Sequence, residues 1–197
     1  MKSLINKRLI ILTAPSGAGK TTIANALLKK FPNLGFTVSA TTRLPRGGEI
    51  NGRDYYFLSV PDFKQKISED AFIEYEMVYP GKYYGTLNSE LQRIWGDKRT
   101  PLRVVDVLGA VELKKEFESN SLAIFIQPPS LEILHRRLEL RKTDDEKAIG
   151  ERIKRAAMEM QYASHFYHVI VNNQLEIAIQ EVTTLVSDFI KESDKKI

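Results

Sequence analysis

Eight consecutive residues, Ala14-Pro15-Ser16-Gly17-Ala18-Gly19-Lys20-Thr21, carry the plainest chemistry in the chain. Small residues that leave backbone N–H groups uncovered, followed at once by a lysine and a hydroxyl, suit a polyphosphate anion at the positive end of a helix. Gly17 and Gly19 can take positive φ and let the main chain approach the anion closely. Lys20 would reach the β- and γ-phosphates of a nucleotide. The Thr21 hydroxyl, with Thr22 beside it, would ligate Mg²⁺. The phosphate-loop pattern opens with glycine, whereas this chain has Ala14, which fits if its backbone is not left-handed. The alternative, a Gly-rich turn that happens to end in Lys-Thr, is disfavoured by the flanks. Leu9-Ile10-Ile11-Leu12 reads as a buried strand before the loop, and Ile23-Ala24-Asn25-Ala26-Leu27-Leu28 as a helix after it.

The elements that must position this loop follow from the alternation of short apolar runs and helical periods. Strands are predicted over Arg8–Thr13, Phe36–Ala40, Leu102–Val107, Leu122–Gln127 and Val169–Asn172. Helices are predicted over Lys20–Phe31, Leu87–Trp95, Ala110–Glu118, Leu131–Arg141, Glu146–Tyr162 and Leu175–Ile190. Strands separated by helices require crossover connections, hence an α/β fold with a five-stranded parallel sheet covered on both faces. Ser130 before Leu131 and Thr143-Asp144-Asp145-Glu146 read as helix caps, the second as a capping box. Pro32 and Gly35 stop the first helix.

Residues 41–86 break that rhythm. Turn formers (Pro45, Gly47, Gly48, Asn51, Gly52) precede stretches in which aromatic and polar residues alternate: Asp54-Tyr55-Tyr56-Phe57, Ile73-Glu74-Tyr75-Glu76 and Lys82-Tyr83-Tyr84-Gly85. That alternation predicts a small sheet, with a short helix started by Ser59-Val60-Pro61-Asp62. An arginine-dense helical stretch follows later: Arg136, Arg137, Arg141, Arg152 and Arg155.

The 197 residues suffice for one substantial core with an inserted lobe. Hydrophobic content of 43% and charged content of 27% are those of an ordinary globular protein. A net charge of +4 suits small polyanions. The basic residues form no tail and no aromatic-rich RNA-reading motif, so nucleic acid is not the expected partner. With no cysteine, disulfides and thiolate metal sites are excluded. The basic Met1–Arg8 and the short apolar run after it are too brief for a signal peptide, and no stretch approaches the ~20 apolar residues of a membrane span. A cytoplasmic location without membrane association is the expectation.

The phosphate loop does not by itself separate a GTPase, an ATPase and a small-molecule kinase; the stretch from Ser39 to Phe57 does. Ser39-Ala40-Thr41-Thr42-Arg43-Leu44-Pro45-Arg46-Gly47-Gly48-Glu49-Ile50-Asn51-Gly52-Arg53-Asp54-Tyr55-Tyr56-Phe57 resembles the monophosphate signature of guanylate kinases, S-x-T-T-R-x-x-R-x-G-E-x-x-G-x-D-Y-x-F, at every specified position. The resemblance continues through Phe72-Ile73-Glu74, Tyr83-Tyr84-Gly85, Asp106, Arg137 to Arg152 and Val171-Asn172. It implies a phosphate-loop kinase core (1–37, 90–136 and 163–197), a GMP-binding lobe (38–89) and a helical lid (137–162).

It also implies roles. Residues 14–22, Arg141 and Asn172 would bind ATP, with Asn172 near the adenine, and Thr21 would hold Mg²⁺. Arg43, Arg46, Tyr55 and Tyr84 would grip the GMP phosphate, with Glu49 orienting the arginines. Forked, always-charged guanidinium groups suit a phosphate dianion. Glu74 would accept from guanine N1–H and N2–H₂, with Ser39 and Thr86 as hydroxyls on the remaining edge. Lys20, Arg43, Arg137, Arg141 and Arg152 would stabilise the transferring phosphoryl group, while Arg136 and Arg155 read as solvated helix faces. Asp106 would complete the site at the end of its strand. Guanylate kinases usually carry D-x-D there, and Val104 stands where the first acid would be. His135, His165 and His168 show no metal-ligand spacing. ATP and GMP, and by extension dGMP, are the expected partners of a monomer or homodimer. Rival readings are a guanylate-kinase-like peptide-binding module and a kinase of the same fold for another phosphate. The intact loop disfavours the first, and Ser39, Glu74 and Thr86 disfavour the second. A GTPase would need an N-K-x-D stretch, which the chain lacks.

Overall fold

The computed structural model describes residues 7–140 and 145–194. In chain order the elements are β1 (Leu9–Thr13), α1 (Lys20–Lys30), β2 (Leu34–Phe36), β3 (Ala40–Thr41), β4 (Tyr56–Phe57) and α2 (Val60–Ser68). There follow β5 (Phe72–Tyr79), β6 (Lys82–Leu87), α3 (Asn88–Gly96), β7 (Thr100–Val105), α4 (Val107–Phe117) and β8 (Ser121–Gln127). The chain closes with α5 (Leu131–Leu140), α6 (Glu146–Met160), β9 (His168–Val171) and α7 (Leu175–Asp194). Contacts divide it into two units, residues 1–32 with 102–197, and residues 33–101.

A five-stranded sheet in the order β2-β7-β1-β8-β9 is the one the alternating pattern requires. β1 pairs in parallel with β7 and β8, and β8 with β9. All five residues of β1 are buried, because a central parallel strand is covered on both faces and so reads as an unbroken apolar run. Leu134, Leu138, Ile149 and Ala156 lock α5 to α6. Fully burying a leucine or isoleucine side chain contributes roughly 1.5–3 kcal/mol. Among the described residues no helix is long and apolar enough to cross a membrane.

In residues 33–101 a smaller sheet has the order β4-β3-β6-β5, with β3–β6 and β5–β6 antiparallel and β3–β4 parallel. Its apolar face packs on α2 through Ala40, Phe63 and Phe72, the two phenyl rings stacked at 4.3 Å. Ser59 caps α2 by accepting from the Asp62 N–H at 3.1 Å.

Four local differences follow. The predicted strand Phe36–Ala40 is split, with β2 ending at Phe36 and Ala40 starting β3 of the other sheet, because the Val38 N–H is taken by the Glu90 side chain at 3.0 Å instead of a ladder. α4 starts at Val107, three residues before the predicted Ala110, because Asp106 caps it through the Gly109 N–H at 3.0 Å. The cap of α6 is Asp145, accepting from the Ala148 N–H at 2.8 Å; Thr143 and Asp144 lie outside the described residues. α6 stops at Met160 and a 3₁₀ turn, Gln161–His165, follows where the helix was expected to run to Tyr162.

Candidate active site

Because β1 is buried and ends at Thr13, the chain must turn sharply before α1, and the small residues of the loop make that turn. The Thr13 hydroxyl donates to Val105 O at 2.9 Å, tying the end of β1 to its neighbour. The Ala18 N–H closes on Pro15 O at 3.1 Å. Gly17 and Gly19 take φ of 92° and 101°, as expected. Neither has room for a side chain: a Cβ on Gly19 would lie 2.5 Å from Asn172 Nδ2, and one on Gly17 2.9 Å from Leu138 Cδ2. Ala14 is buried and is not among the residues with positive φ, so the condition for alanine at this position holds. The first turn of α1 has neither a side-chain cap nor an acidic residue, which leaves its N–H groups for an anion. Thr21 and Thr22 are exposed.

Lys20 donates to the carbonyl of Ala14, an uncharged partner at the other end of its own loop. Burial pushes its pKa down to about 8; the carboxylates of Glu159 and then Asp106 oppose the shift, and Arg155 adds to it. Arg155 is therefore not the solvated helix face expected of it. Its Nε donates to Glu159 Oε1 at 2.8 Å, its side chain is 32% exposed, and its charge is felt at Lys20. Glu159 Oε2 is buried without a hydrogen-bond partner. Sequence reasoning missed Glu159 altogether. Its spacing of four from Arg155 is a readable signal for an ion pair but not for nearness to the loop.

Arg137 donates to the carbonyls of Asn172 at 3.0 Å and Asn173 at 3.3 Å. Asn172 is buried; its amide donates to Ala18 O at 2.9 Å, and its Oδ1 is a buried acceptor with no partner. Arg152 is half-buried on α6, Arg136 is exposed as expected, and Arg141 lies outside the described residues. Asp106 is half-buried with one carboxylate oxygen committed to the cap of α4. Val104, where the family's first acid would stand, is also only half-buried. For Mg²⁺ the donors at hand are the Thr21 hydroxyl and the Asp106 carboxylate. That hard-oxygen set fits an ion that keeps several waters and takes the rest of its shell from phosphates. Of the three histidines, His135 faces Glu139 at 3.5 Å and His165 lies beside Tyr162. Among the described residues no group of three or more acidic, His or Cys side chains could hold a metal ion.

In residues 33–101 two clusters form. In the first, the Arg43 fork meets Glu49 end-on, with Nη1–Oε2 and Nη2–Oε1 both at 2.6 Å. Glu49 Oε2 also accepts from the Arg46 N–H at 2.7 Å, which fixes the loop between the two arginines. The hydrogen bonds from Arg43, then from the Arg46 backbone, pull the Glu49 pKa down to about 2. The same bond raises that of Arg43 above its ordinary value. The guanidinium carbon of Arg43 lies 4.8 Å from the Tyr55 ring centroid, and Tyr55 meets Tyr84 edge-on at 6.2 Å. The Arg46 side chain is exposed and, among the described residues, makes no ion pair.

The second cluster is a row formed by β5, β6 and the residue that precedes β3. Glu74 on β5 faces Thr86 on β6, and the Thr86 hydroxyl donates to Glu74 Oε1 at 2.6 Å. Both side chains are buried, at 7% and 0% exposure. The register Ala40↔Gly85 and Thr41↔Tyr84 sets Ser39 opposite Thr86, and Tyr84 falls on the same sheet face two residues from Thr86. The predicted base-reading residues are thus brought together by strand register; of the predicted phosphate-gripping residues, Glu49 ties the Arg43 side chain to the Arg46 backbone, while Tyr55 lies by Arg43 and Tyr84 by Tyr55.

A buried parallel strand feeding a glycine loop and a helix, with a lysine returned over the loop, defines an α/β protein of the phosphate-loop class. A family model described as Guanylate kinase matches residues 6–189. A guanylate kinase of Chlorobium chlorochromatii is 46% identical over 93% of this chain and 96% of its own length. One of Porphyromonas gingivalis is 45% identical over 93% and 98%. The crystal structure of the Anaplasma phagocytophilum guanylate kinase superposes with a TM-score of 0.73 at 30% identity, covering 92% of this chain and 85% of that one. The chain belongs to the guanylate kinase family.

Proposed function

We propose that this chain transfers the γ-phosphoryl group of ATP to GMP, giving ADP and GDP in one in-line step without a covalent enzyme intermediate. The observation that carries the choice of acceptor is the buried Glu74 carboxylate paired with the Thr86 hydroxyl in register with Ser39. A carboxylate is the complement of guanine's adjacent N1–H and N2–H₂ donors. Adenine offers an acceptor at N1 and no amino group at C2. A site built on such hydrogen bonds can reject the wrong analogue by about 10⁴–10⁵.

On this reading the end-on pairing of Arg43 with Glu49 has a purpose. Its Nη1 hydrogens go to Glu49 and Leu44 O, and one Nη2 hydrogen goes to Glu49. The side-on fork of Nε and the second Nη2 hydrogen is left for a phosphate dianion. Arg46, Tyr55 and Tyr84 complete that grip. The loop N–H groups and Lys20 hold the ATP phosphates, and Lys20 leaves the Ala14 carbonyl to do so. Thr21 and Asp106 are the residues that would hold Mg²⁺, which neutralises phosphate charge. Asn172, with its unsatisfied buried oxygen, suits the adenine amino group. Arg137, Arg141 and Arg152 are the charges that would stabilise the moving phosphoryl group, in a reaction in which position and positive charge are nearly all the protein supplies. Offering ATP and Mg²⁺ with GMP, dGMP, AMP, CMP and UMP in turn, and coupling ADP release to an optical signal, tests the reading. Turnover with GMP and dGMP alone is expected. Turnover with none of them, or equal turnover with AMP, refutes it.

A further inference from the structure

One buried carboxylate in residues 33–101 accepts four hydrogen bonds yet belongs to a residue with no part in the reaction as proposed above. Glu90 on α3 is 2% exposed. Its Oε1 accepts from the Val38 N–H at 3.0 Å and from Arg93 Nη2 at 2.8 Å. Its Oε2 accepts from the Tyr56 hydroxyl and from Arg93 Nε, each at 3.1 Å. Burial alone would push its pKa up; the Arg93, Val38 and Tyr56 donors outweigh burial and hold the carboxyl below its ordinary value. The bonds close a ring. Val38 precedes Ser39, the Tyr56 N–H donates to Ser39 O at 2.8 Å, and the Tyr56 hydroxyl returns to Glu90. Ser39 stands just before β3: its carbonyl takes a backbone bond of the β3–β4 pair, while the Val38 N–H before it is held by the Glu90 side chain, so the sheet sets one side of Ser39 and Glu90 the other.

We infer that Glu90 is a positioning residue for GMP: through Val38 on one side and Tyr56 on the other it fixes where the Ser39 hydroxyl meets the guanine edge. The inference rests on the proposed reading of Ser39 as a guanine-reading residue. A helix residue with an acidic side chain and an arginine three positions later would ordinarily be a solvated pair of little consequence. Here the carboxylate is spent on a strand-side N–H and a tyrosine hydroxyl, and Arg93 balances the charge that makes both bonds strong.

The test separates placement from mere stability. Glu90→Leu keeps the volume and deletes both acceptors. KM for GMP should rise by about tenfold or more, the size expected for losing charge-assisted bonds, while KM for ATP stays within about threefold. Glu90→Gln keeps an oxygen for the Val38 N–H and should restore KM for GMP to within about threefold of native. Tyr56→Phe removes one hydroxyl and should raise KM for GMP about threefold; in a Ser39→Ala background that increase should vanish, because the group being positioned is gone. Should Glu90→Leu not fold, the Tyr56→Phe and Ser39→Ala cycle decides alone. Equal rises in both KM values, unchanged KM for GMP, or a Tyr56→Phe effect that persists without the Ser39 hydroxyl overturns the inference. Failure of the native protein to phosphorylate GMP would instead overturn the proposed function.

Discussion

Replacing Glu74 by glutamine is the sharpest perturbation available, because it changes one oxygen into an amide nitrogen and leaves shape almost untouched. Glu74 is 7% exposed and its Oε1 already accepts from Thr86 at 2.6 Å. On the proposed reading, guanine's two donors need both carboxylate oxygens. Either orientation of the amide therefore sets an NH₂ group against one of them, and turning it over changes only which donor is opposed. The loss comprises one hydrogen bond to a charged group, about 1.5–3 kcal/mol, and one buried donor left unpaired, about 1–3 kcal/mol. Together these amount to roughly 10² to 10⁴ in kcat/KM for GMP. AMP should gain little, since the amide still opposes its N1 poorly and the phosphate grip around Arg43 is unaltered. The assay is steady-state turnover with GMP and with AMP at saturating ATP, with thermal melting to show that Glu74→Gln folds. If kcat/KM for GMP stays within about threefold of native in a folded variant, guanine is read elsewhere and the role of this row of residues is wrong.

Three further outcomes are expected. Lys20→Ala should fold and melt near the native temperature yet lose turnover by about 10³-fold or more, because its charge acts where phosphate charge grows in the transition state; near-native turnover would contradict the reading of the loop. Gly19→Ala forces a side chain onto φ of 101° and drives a Cβ to 2.5 Å from Asn172 Nδ2. Backbone strain and a displaced amide cost about 2–4 kcal/mol together, visible in urea unfolding, and KM for ATP should rise with KM for GMP unchanged. Glu49 has its pKa lowered to about 2, so the Arg43 pair contributes its stability fully above the ordinary carboxylate value of 4.5 and loses it as pH falls toward 2. An NMR titration of the Glu49 carboxyl carbon with a midpoint near 4.5 would show that Glu49 is not held in this pair.

The sequence carried the larger sheet because its central strands are buried on both faces, and burial on both faces leaves an unbroken apolar run. It failed at Phe36–Ala40 for a related reason. Val38 and Ala40 look like strand residues, and they are buried, but burial alone does not say which ladder a backbone joins. The split is decided by Glu90, fifty-two residues further on, whose carboxylate takes the Val38 N–H. The start of α4 was missed by three residues because Asp106 was read for its chemistry and not as a cap. An aspartate three residues before Gly109 serves the Gly109 N–H at 3.0 Å whatever else it does.

The site residues were legible where their chemistry is local, and not where it depends on distant packing. The loop from Ala14 to Thr21 needs only its own small residues and the strand before it, and Glu49 finds Arg43 six positions away within one turn-rich segment. Arg155 and Arg136 are indistinguishable as letters, since both are helical arginines beside another basic residue. What separates them is the geometry of the α5–α6 pair. Leu134 and Leu138 pack against Ile149 and Ala156, and Arg155, next to Ala156, is paired with a glutamate whose second oxygen is buried, while Arg136 is exposed. A carboxylate in that position has a consequence for binding. Glu159 opposes the push of burial on the Lys20 pKa, and on the proposed reading the same negative charge repels an arriving polyphosphate. Arg155, whose Nε donates to Glu159 Oε1 at 2.8 Å, offsets part of that repulsion.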